Sequence, residues 1–349
     1  MNKTQTATRY TAVDLFCGAG AVTKALSDSG FTVLMAVDND PVACRTFRAN
    51  HPSTKLIEAD IRVLSATDIR KMIPSKIQLD VLVICAPCQP FSSQNQTHGD
   101  GDSRKELIFQ AVRFAKLLQP RTIFFENVAG LSGPRFSHIL KALSRGLRQL
   151  DYKLSRPRRV DAADFGVPQR RVRCIMVATQ RKRRPVVGLS RFERSRTSVR
   201  SAIGDLKVLR SGEMDACDPM HRARSHSSLN LERLALIPAD GGSRDALPAN
   251  LRLACHKDHQ GHPDVYGRMA WDAVAPTLTT GCADITRGRF AHPEQHRAIT
   301  LREAARLQTF PDDYLFCGNG SEIARQIGNA VPYKMMKQLA RFLIKTCKI

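Results

Sequence analysis

The apolar positions of the N-terminal half fall into short continuous runs separated by segments with helical spacing. Such runs are typical of strands that are buried on both faces. They are Ala12–Phe16, Thr32–Val37, Leu56–Ile57, Val81–Cys85, Thr122–Phe125 and Val172–Ala178. The helical segments between them are Ala21–Ser29, Pro41–Asn50, Glu106–Leu118 and Ile139–Leu150. This alternation predicts an α/β fold with a doubly wound, mostly parallel sheet.

The pattern changes in the C-terminal half. Asp215–Ala291 has little periodicity and many His, Gly and Pro residues, which predicts a second, smaller and irregular domain. Ala298–Leu307 and Val331–Ile344 return to helical spacing. We therefore predict four parts: a main domain over 8–180, an irregular domain over 181–297, a hinge over 298–325 and a returning C-terminal helix over 326–349.

Composition adds a charge argument. The chain has 349 residues, with 54 Lys and Arg against 32 Asp and Glu, a formal charge of +22. An excess of this size indicates a polyanionic partner, most often nucleic acid, and a merely basic enzyme is the alternative. No apolar stretch approaches the ~18 residues of a membrane span. The ten cysteines are scattered, which favours a reducing cytoplasm over a disulfide scaffold.

A glycine turn follows the first predicted strand. Gly18 and Gly20 open a helix, and Asp38 ends the second strand, which is the geometry of a nucleoside site whose acid accepts bonds from ribose hydroxyls. Thr23 replaces the third glycine of a dinucleotide fingerprint. A nucleoside without a pyrophosphate, such as S-adenosylmethionine, therefore fits better. A purely structural turn of an α/β protein is the alternative.

Cys88 follows the run Val81–Cys85 and stands between two prolines, while Glu126 follows the run Thr122–Phe125. Because the carboxyl ends of parallel strands meet at one edge, we expect both side chains in one crevice. A thiolate attacks an electron-poor carbon, and a carboxylic acid protonates or hydrogen-bonds the ring that accepts the electrons. A packing cysteine, a redox pair and half a zinc site are the alternatives. Against the last two, Cys85 falls inside the apolar run and no second Cys/His pair lies nearby.

Two arginines follow in a late strand. If Arg171 and Arg173 lie on one strand, they point to the same face. Two cations at one crevice could lower the pKa of Cys88 and hold a phosphate or a ring carbonyl. A solvated basic edge strand is the alternative.

Taken in order, these motifs resemble those of the DNA cytosine-5 methyltransferases of the bacterial restriction–modification type. The matching segments are Asp14–Gly20, Pro87–Gln89, Glu126–Val128, Gln169–Arg173, Arg302–Gln308 with Phe310–Asp312, and Gln326–Pro332. Arg181–Pro293 falls where that family has its variable recognition domain, and Thr277–Thr280 resembles a threonine-leucine element found there. The resemblance implies a Rossmann-like, S-adenosylmethionine-dependent methyltransferase fold with a smaller DNA-recognition domain.

The resemblance also implies roles for single residues. Cys88 adds to carbon 6 of cytosine, and Glu126 engages nitrogen 3. Arg171 holds the base carbonyl and helps to keep Cys88 ionised, and Arg173 supports the same pocket. The implied S-adenosylmethionine site uses Phe16 against the adenine, Asp38 on the ribose, Asp60 on the adenine amino group, and Gly18, Gly20, Pro87 and Asn329 around them. No metal is implied.

The implied substrate is duplex DNA with the cytosine flipped out of the helix. Residues 92–103 would close over it as a lid, and arginines between Arg181 and Arg210 would meet phosphates. We expect a cytoplasmic monomer, and the resemblance admits a cognate restriction endonuclease as a further partner. By residue type alone, the candidates for reading bases are His256, His259, Arg268 and Arg287. A zinc site from Cys255, His256, His259 and His262 has too tight a spacing for four standard ligands.

Two other functions remain as alternatives. A tRNA cytosine-5 methyltransferase is less favoured, because the segment between Glu126 and Gln169 has no insertion or cysteine motif typical of that branch. A non-catalytic DNA-binding relative is also less favoured, because Cys88, Glu126 and the glycine turn are all intact.

Overall fold

The computed structural model describes residues 10–73, 77–87, 103–182, 196–253 and 264–347. Within them, eight strands form one sheet, and two more form a separate hairpin. The strands are β1 (Tyr10–Leu15), β2 (Phe31–Asp38), β3 (Lys55–Glu58), β4 (Val81–Ile84), β5 (Thr122–Val128), β6 (Tyr152–Leu154), β7 (Arg158–Asp161), β8 (Val172–Gln180), β9 (Met214–Asp215) and β10 (Asp218–Arg222). The α-helices are α1 (Ala21–Ser27), α2 (Pro41–Asn50), α3 (Ala66–Met72), α4 (Gln110–Leu118), α5 (Ser137–Gln149), α6 (Val199–Ile203), α7 (Ser228–Leu236), α8 (Leu301–Leu307), α9 (Gly320–Asn329) and α10 (Tyr333–Cys347).

The sheet has the strand order β3-β2-β1-β4-β5-β8-β6, and β7 also pairs with β8. The pairs among β1 to β5 are parallel. The strand β8 runs antiparallel to β5, β6 and β7. The predicted α/β fold with a mostly parallel sheet is confirmed. Its strand order reverses at β1, which is where an open α/β sheet leaves a crevice outside its carboxyl edge.

Helix boundaries follow the caps. Asp40 accepts hydrogen bonds from the backbone N–H groups of Val42 and Ala43, at 2.9 and 3.2 Å, and Pro41 opens α2 as predicted. The helix expected from Ala298 begins only at Leu301. Thr300 is the N-cap: its hydroxyl accepts from the Glu303 N–H, and the Glu303 carboxylate accepts from the Thr300 N–H. An N-cap residue has extended backbone, so the helix starts after Thr300. The expected helix over Glu106–Leu118 begins as a 3₁₀ helix, Ser103–Phe109, before α4.

The chain divides into two compact units. Unit one comprises residues 1–161, 172–192 and 333–349, and unit two comprises residues 162–171 and 193–332. The four parts expected from the sequence pattern stay a prediction. Within unit one, α10 packs against α1, and the Tyr333 hydroxyl donates to the Asp28 carboxylate at 2.6 Å.

The core of unit one lies against one face of the sheet. Leu15 of β1, Ile84 of β4 and Phe125 of β5 are buried with Phe114 of α4 and Leu143 of α5. The alternate positions on these strands face the other side. In the described residues, no helix combines the length and apolar character that crossing a membrane requires.

Candidate active site

The glycine turn after β1 depends on glycine at two positions. Gly18 and Gly20 have φ values of +53° and +93°, in the left-handed region that side chains disfavour. The Gly18 N–H donates to the Asp38 carboxylate at 2.7 Å, which ties the turn to the end of β2. A Cβ on Gly20 would lie 2.5 Å from the His51 ring. The motif therefore specifies a tight backbone that leaves the carboxyl edge of the sheet accessible.

Phe16 has a strained backbone just before this turn. Its φ is +63°, although it is a bulky residue, and its side chain is only half-buried. Strain of this kind persists where surrounding structure enforces it, often at binding sites. The conformation is consistent with the predicted role of Phe16 beside an adenine.

Asp14, which the sequence analysis did not single out, is the buried acid of this region. It lies on β1 with no exposed surface and accepts a hydrogen bond from the Thr23 hydroxyl at 2.7 Å. Its second carboxyl oxygen is buried and has no hydrogen-bond partner in the described part of the chain. Burial raises the pKa of Asp14 to about 7. A buried acceptor without a donor makes the ionised form of Asp14 costly, which acts in the same direction as burial.

The other two acids predicted for a nucleoside are already partly engaged. Asp38 accepts from the backbone N–H groups of Gly18 and Asp40, and burial raises its pKa. Asp60 caps the 3₁₀ turn Ile61–Val63 and forms an ion pair with the exposed Arg62, whose hydrogen bonds lower the pKa of Asp60. Each carboxylate still has acceptor capacity for a ligand.

Glu126 and Arg173 form the central pair at the end of β5. Glu126 Oε1 lies 3.1 Å from Arg173 Nε, and both side chains are about nine-tenths buried. The antiparallel register of β5 and β8 places them together, because Val128 lies opposite Arg173. A carboxylate buried beside a guanidinium is charge-compensated and holds a fixed orientation. Arg173 is therefore the arginine of the Gln169–Arg173 motif that contacts Glu126 within unit one, a contact that the sequence analysis did not predict.

Asn127 connects this pair to the segment that precedes the predicted nucleophile. Its side-chain amide donates to the Ala86 carbonyl at 3.1 Å, and both residues are buried. Pro87 is half-buried and follows directly. Cys88 and residues 92–102 lie outside the described residues. Asn127 thus holds the backbone in place two residues before Cys88. The sequence analysis did not assign it this role.

Cys85 lies just past the end of β4, because that strand ends at Ile84 and not at Cys85 as predicted. Burial raises the pKa of its thiol, and the negative charges of Glu126 and Asp14 raise it further. A thiol that resists ionisation is a poor nucleophile and a poor metal ligand.

Arg171 does not share a strand with Arg173, so the premise that both point to one face of a strand is wrong. The strand β8 begins at Val172, and Arg171 belongs to unit two. Its guanidinium is buried and donates to the carbonyls of Leu278 and Gly328, at 2.9 and 2.8 Å. The structure thus places Arg171 on the backbone of the Thr277–Thr280 element and of α9.

Neighbouring side chains complete this network, which consists of Gln169, Arg171, Leu278, Gln308 and Gly328. Gln169 accepts from the Leu278 N–H at 3.0 Å and donates to the Gln308 side chain at 3.1 Å. Gln308 in turn donates to the Ile327 carbonyl at 2.6 Å. A Cβ on Gly328 would lie 2.3 Å from the Thr279 carbonyl oxygen, so only glycine allows this approach. The network ends one residue before Asn329, which is exposed at the end of α9.

The candidates for reading bases separate into three cases. Arg268 is 1% exposed and donates to four backbone carbonyls of unit two, so it is a structural residue. Arg287 is exposed. His256 and His259 lie outside the described residues, as do the other members of the zinc set, Cys255 and His262. Among the residues that are described, no group of three or more His, Cys, Asp or Glu side chains could hold a metal.

The family model described as C-5 cytosine-specific DNA methylase matches residues 10–345. The chain is 36% identical over 336 residues to Type II methylase M.HgiDII of Herpetosiphon aurantiacus, which covers 94% of this chain and 93% of that protein. It is 32% identical over 341 residues to Type II methyltransferase M1.HphI of Haemophilus parahaemolyticus, covering 96% and 87%.

Solved structures share the fold. The chain matches a protein described as a DNA modification methyltransferase encoded within a prophage, from E. coli, with a TM-score of 0.78 and 23% identity. That match covers 98% of this chain and 100% of the other. A second match is the S. pombe Dnmt2 methyltransferase, with a TM-score of 0.64 and 18% identity over 98% and 100% of the two chains. The sequence and fold likenesses both extend over nearly the whole chain.

Proposed function

Because the chain belongs to the C-5 cytosine-specific DNA methylase family and is a DNA cytosine-5-methyltransferase, we propose that Cys88, Glu126 and Arg173 are the groups that carry out its reaction. The observation that supports this most is the buried Glu126–Arg173 pair, joined through Asn127 to the chain just before Cys88. The proposed acid therefore lies on β5, and its neighbour Asn127 holds the backbone two residues before the proposed nucleophile.

The proposed chemistry begins with a weak nucleophile. Carbon 5 of cytosine does not take a methyl group unaided, so the Cys88 thiolate adds to carbon 6 while Glu126 holds or protonates nitrogen 3. The resulting enamine makes carbon 5 nucleophilic. After methylation, loss of the carbon 5 proton and elimination of Cys88 release 5-methylcytosine. Arg173 keeps the Glu126 carboxyl oriented throughout and lies where it can meet the ring carbonyl.

This assignment changes the roles of the two arginines. Both donors of Arg171 that face Leu278 and Gly328 are committed to backbone carbonyls. We therefore give Arg171 the part of holding the Thr277–Thr280 element and α9, and give Arg173 the contact with Glu126 and the base.

S-adenosylmethionine is the proposed methyl donor, and when bound it supplies an electrophilic methyl group on a sulfonium. The turn with Gly18 and Gly20 leaves room for the nucleoside, Asp38 accepts from the ribose hydroxyls, and Asp60 accepts from the adenine amino group. Phe16 packs against the adenine. Asp14 lies on β1 just before this turn, where its negative charge, when ionised, attracts a cationic ligand. Pro87 and Asn329 complete the proposed set.

The proposed substrate is a specific sequence in duplex DNA, with the target cytosine flipped out at a cost of a few kcal/mol. Unit two is proposed to carry the recognition residues. A cognate restriction endonuclease acting on the same site is the proposed partner, since relatives of this chain are named Type II enzymes. We propose that the protein works as a monomer in the cytoplasm.

The test uses the nucleophile. Cys88→Ala is expected to abolish transfer of labelled methyl groups to DNA while S-adenosylmethionine binding, measured by calorimetry, survives. A duplex carrying 5-fluorocytosine should crosslink to wild type and not to Cys88→Ala. Cys85→Ala is the matched control and should keep activity. Wild-type activity in Cys88→Ala would refute the proposal.

The target sequence is accessible by the same route. Bisulfite sequencing of DNA from a host that expresses the protein should show protected cytosines in one sequence context. No protected cytosine in a host whose extract transfers methyl groups would contradict the proposed base.

A further inference from the structure

The carboxylate proposed to meet the adenine amino group stands at the start of a very short turn. Asp60 caps the 3₁₀ helix Ile61–Val63, and Leu64 ends it. We call Asp60–Leu64 the Asp60 turn. Within it, the Val63 N–H donates to the Asp60 carbonyl at 3.1 Å. A 3₁₀ helix of this length has little stability of its own, so contacts from outside the turn must fix the direction of the Asp60 carboxylate.

On its N-terminal side, the Asp60 turn is anchored to β2. The Ala59 N–H donates to the Asp38 carbonyl at 3.0 Å. Just before it, β3 pairs with β2 in parallel, with Glu58 opposite Asp38. This anchor joins the backbones of the two acids proposed for the nucleoside. It ends at Ala59, however, and leaves the path of residues 61–64 undetermined.

On its C-terminal side, the Asp60 turn is held by Arg113 of α4. The two terminal nitrogens of its guanidinium donate to the carbonyls of Leu64, at 2.6 Å, and Ile61, 49 and 52 positions earlier in the chain. Its Nε donates to the Gln110 side chain on the same helix at 2.8 Å. Because a guanidinium is a rigid planar fork, the three bonds fix its orientation and the positions of both carbonyls.

The surroundings of Arg113 show that charge pairing is not its role. Its side chain is partly buried, and burial lowers its pKa. Within the described part of the chain, no carboxylate forms an ion pair with it, and its partners are two backbone carbonyls and a neutral amide. Burying a cation without a carboxylate costs free energy. Arg113 is therefore specialised for holding the two carbonyls.

Arg62 is the other cation at the Asp60 turn. Its guanidinium donates to both carboxylate oxygens of Asp60, but 52% of its side chain is exposed. Exposed ion pairs contribute little to stability, and salt screens them. Arg62 therefore influences the charge around Asp60, whereas Arg113 holds the backbone that carries Asp60.

We propose that Arg113 is a positioning residue for the cofactor, which holds the Asp60 turn so that the Asp60 carboxylate accepts from the adenine amino group and disfavours a 6-oxopurine. The inference rests on the proposed S-adenosylmethionine site and on the proposed role of Asp60. A 6-oxopurine has a carbonyl oxygen in place of the amino group, which a carboxylate repels. It also has an N–H at the neighbouring ring nitrogen, which a carboxylate on a movable turn could reach instead. Selectivity for adenine therefore requires that the turn be held in place.

The test measures the ratio of two affinities. S-adenosylhomocysteine and S-inosylhomocysteine, its 6-oxopurine counterpart, are titrated by calorimetry into wild type and two variants. Wild type should bind the adenosyl compound at least about tenfold more tightly. Arg113→Gln should lower this ratio to about threefold or less, because a glutamine amide cannot donate to both carbonyls. Arg113→Lys keeps the cation and can reach one carbonyl, so it should give an intermediate ratio, and it carries the test if Arg113→Gln does not fold.

Arg121→Gln is the matched control. Arg121 precedes β5 at the opposite end of the strand from Glu126, and it donates to Asp80 at 2.9 Å. Its substitution also removes a partly buried guanidinium from unit one. Lower stability alone reduces the fraction of folded protein and affects both ligands equally, so this variant should keep the wild-type ratio.

Methyl transfer gives a second measurement. A contact that binds the adenine equally in the ground state and the transition state affects KM and not kcat. In Arg113→Gln, KM for S-adenosylmethionine should therefore rise by at least about fivefold, while kcat at saturating cofactor changes by less than about twofold. A lower kcat with an unchanged KM would contradict a role in positioning the cofactor.

The wild-type affinity ratio in Arg113→Gln would overturn the inference, and so would an equal loss of the ratio in Arg121→Gln. Asp60→Asn separates this inference from the proposed function, because an asparagine amide can accept from an amino group or donate to a carbonyl. If Asp60→Asn loses the preference for adenine and Arg113→Gln keeps it, the positioning role of Arg113 alone is wrong. If Asp60→Asn keeps the preference, the proposed role of Asp60 is wrong and this inference fails with it.

Discussion

At the residue scale, two side chains of the same chemical type, the carboxylic acids Glu126 and Asp14, have different surroundings. Glu126 is a buried acid with a guanidinium 3.1 Å away. Asp14 is a buried acid that has only a hydroxyl as partner. The guanidinium holds the first in a fixed orientation, whereas burial drives the second towards its neutral form.

Asp14 therefore predicts a pH dependence of stability. Its pKa is raised from 3.8 to about 7 in the folded chain, so folding favours the protonated form. This contribution to the free energy of unfolding is fully present below about pH 4 and is lost as the pH rises through 7. The total loss is up to about 4 kcal/mol. Asp14→Asn should remove this loss. In urea titrations, the free energy of unfolding of the variant should therefore fall less between pH 4 and pH 7 than that of wild type.

The same residue predicts a pH dependence of ligand binding. A cationic S-adenosylmethionine should bind the ionised form better, so affinity by calorimetry should rise through pH 7 in wild type. Asp14→Asn should flatten that rise, while Asp28→Asn, on the outer end of α1, should not. A flat profile in wild type would contradict the fit of Asp14 to the cofactor.

At the element scale, strand and helix boundaries decide which motif residues act together. Because β8 begins at Val172, Arg173 is held in the sheet beside β5, whereas Arg171 precedes the strand and donates to carbonyls within unit two. Two arginines that are two residues apart therefore belong to different networks. Their substitution should separate stability from catalysis.

Arg171→Lys should lower the free energy of unfolding by about 2 to 4 kcal/mol, because a lysine cannot reach both buried carbonyls and leaves one unsatisfied. Arg173→Lys should change stability less and lower kcat by at least about tenfold, because it loosens Glu126. Urea unfolding and single-turnover methyl transfer measure the two effects. If Arg171→Lys and Arg173→Lys lost the same stability and had the same rate of methyl transfer, the two networks would not be distinct.

At the scale of the whole molecule, affinity for polyanions and choice of substrate have separate origins. A net charge of +22 attracts any nucleic acid. Methyl transfer also requires that the base enter the catalytic site, which we propose lies beside Glu126, and entry depends on shape and on contacts with base edges.

We therefore predict that duplex DNA and bulk tRNA both bind at low salt, and that only DNA takes up labelled methyl groups. Binding is measured by competition and transfer by scintillation counting, with Cys88→Ala as the blank. Methyl incorporation into tRNA at the rate seen with DNA would contradict this prediction.

The sequence by itself determined the α/β fold, the cap of α2, the family and the buried strand that carries Glu126, although that strand continues to Val128 and not only to Phe125 as predicted. These follow from local patterns, since apolar runs, capping residues and short motifs act over a few positions along the chain. Tertiary structure alone decided the partners of Arg171 and left one buried oxygen of Asp14 without a hydrogen-bond partner among the described residues. Arg171 meets carbonyls 107 and 157 positions away, and neither residue type nor spacing encodes contacts of that range.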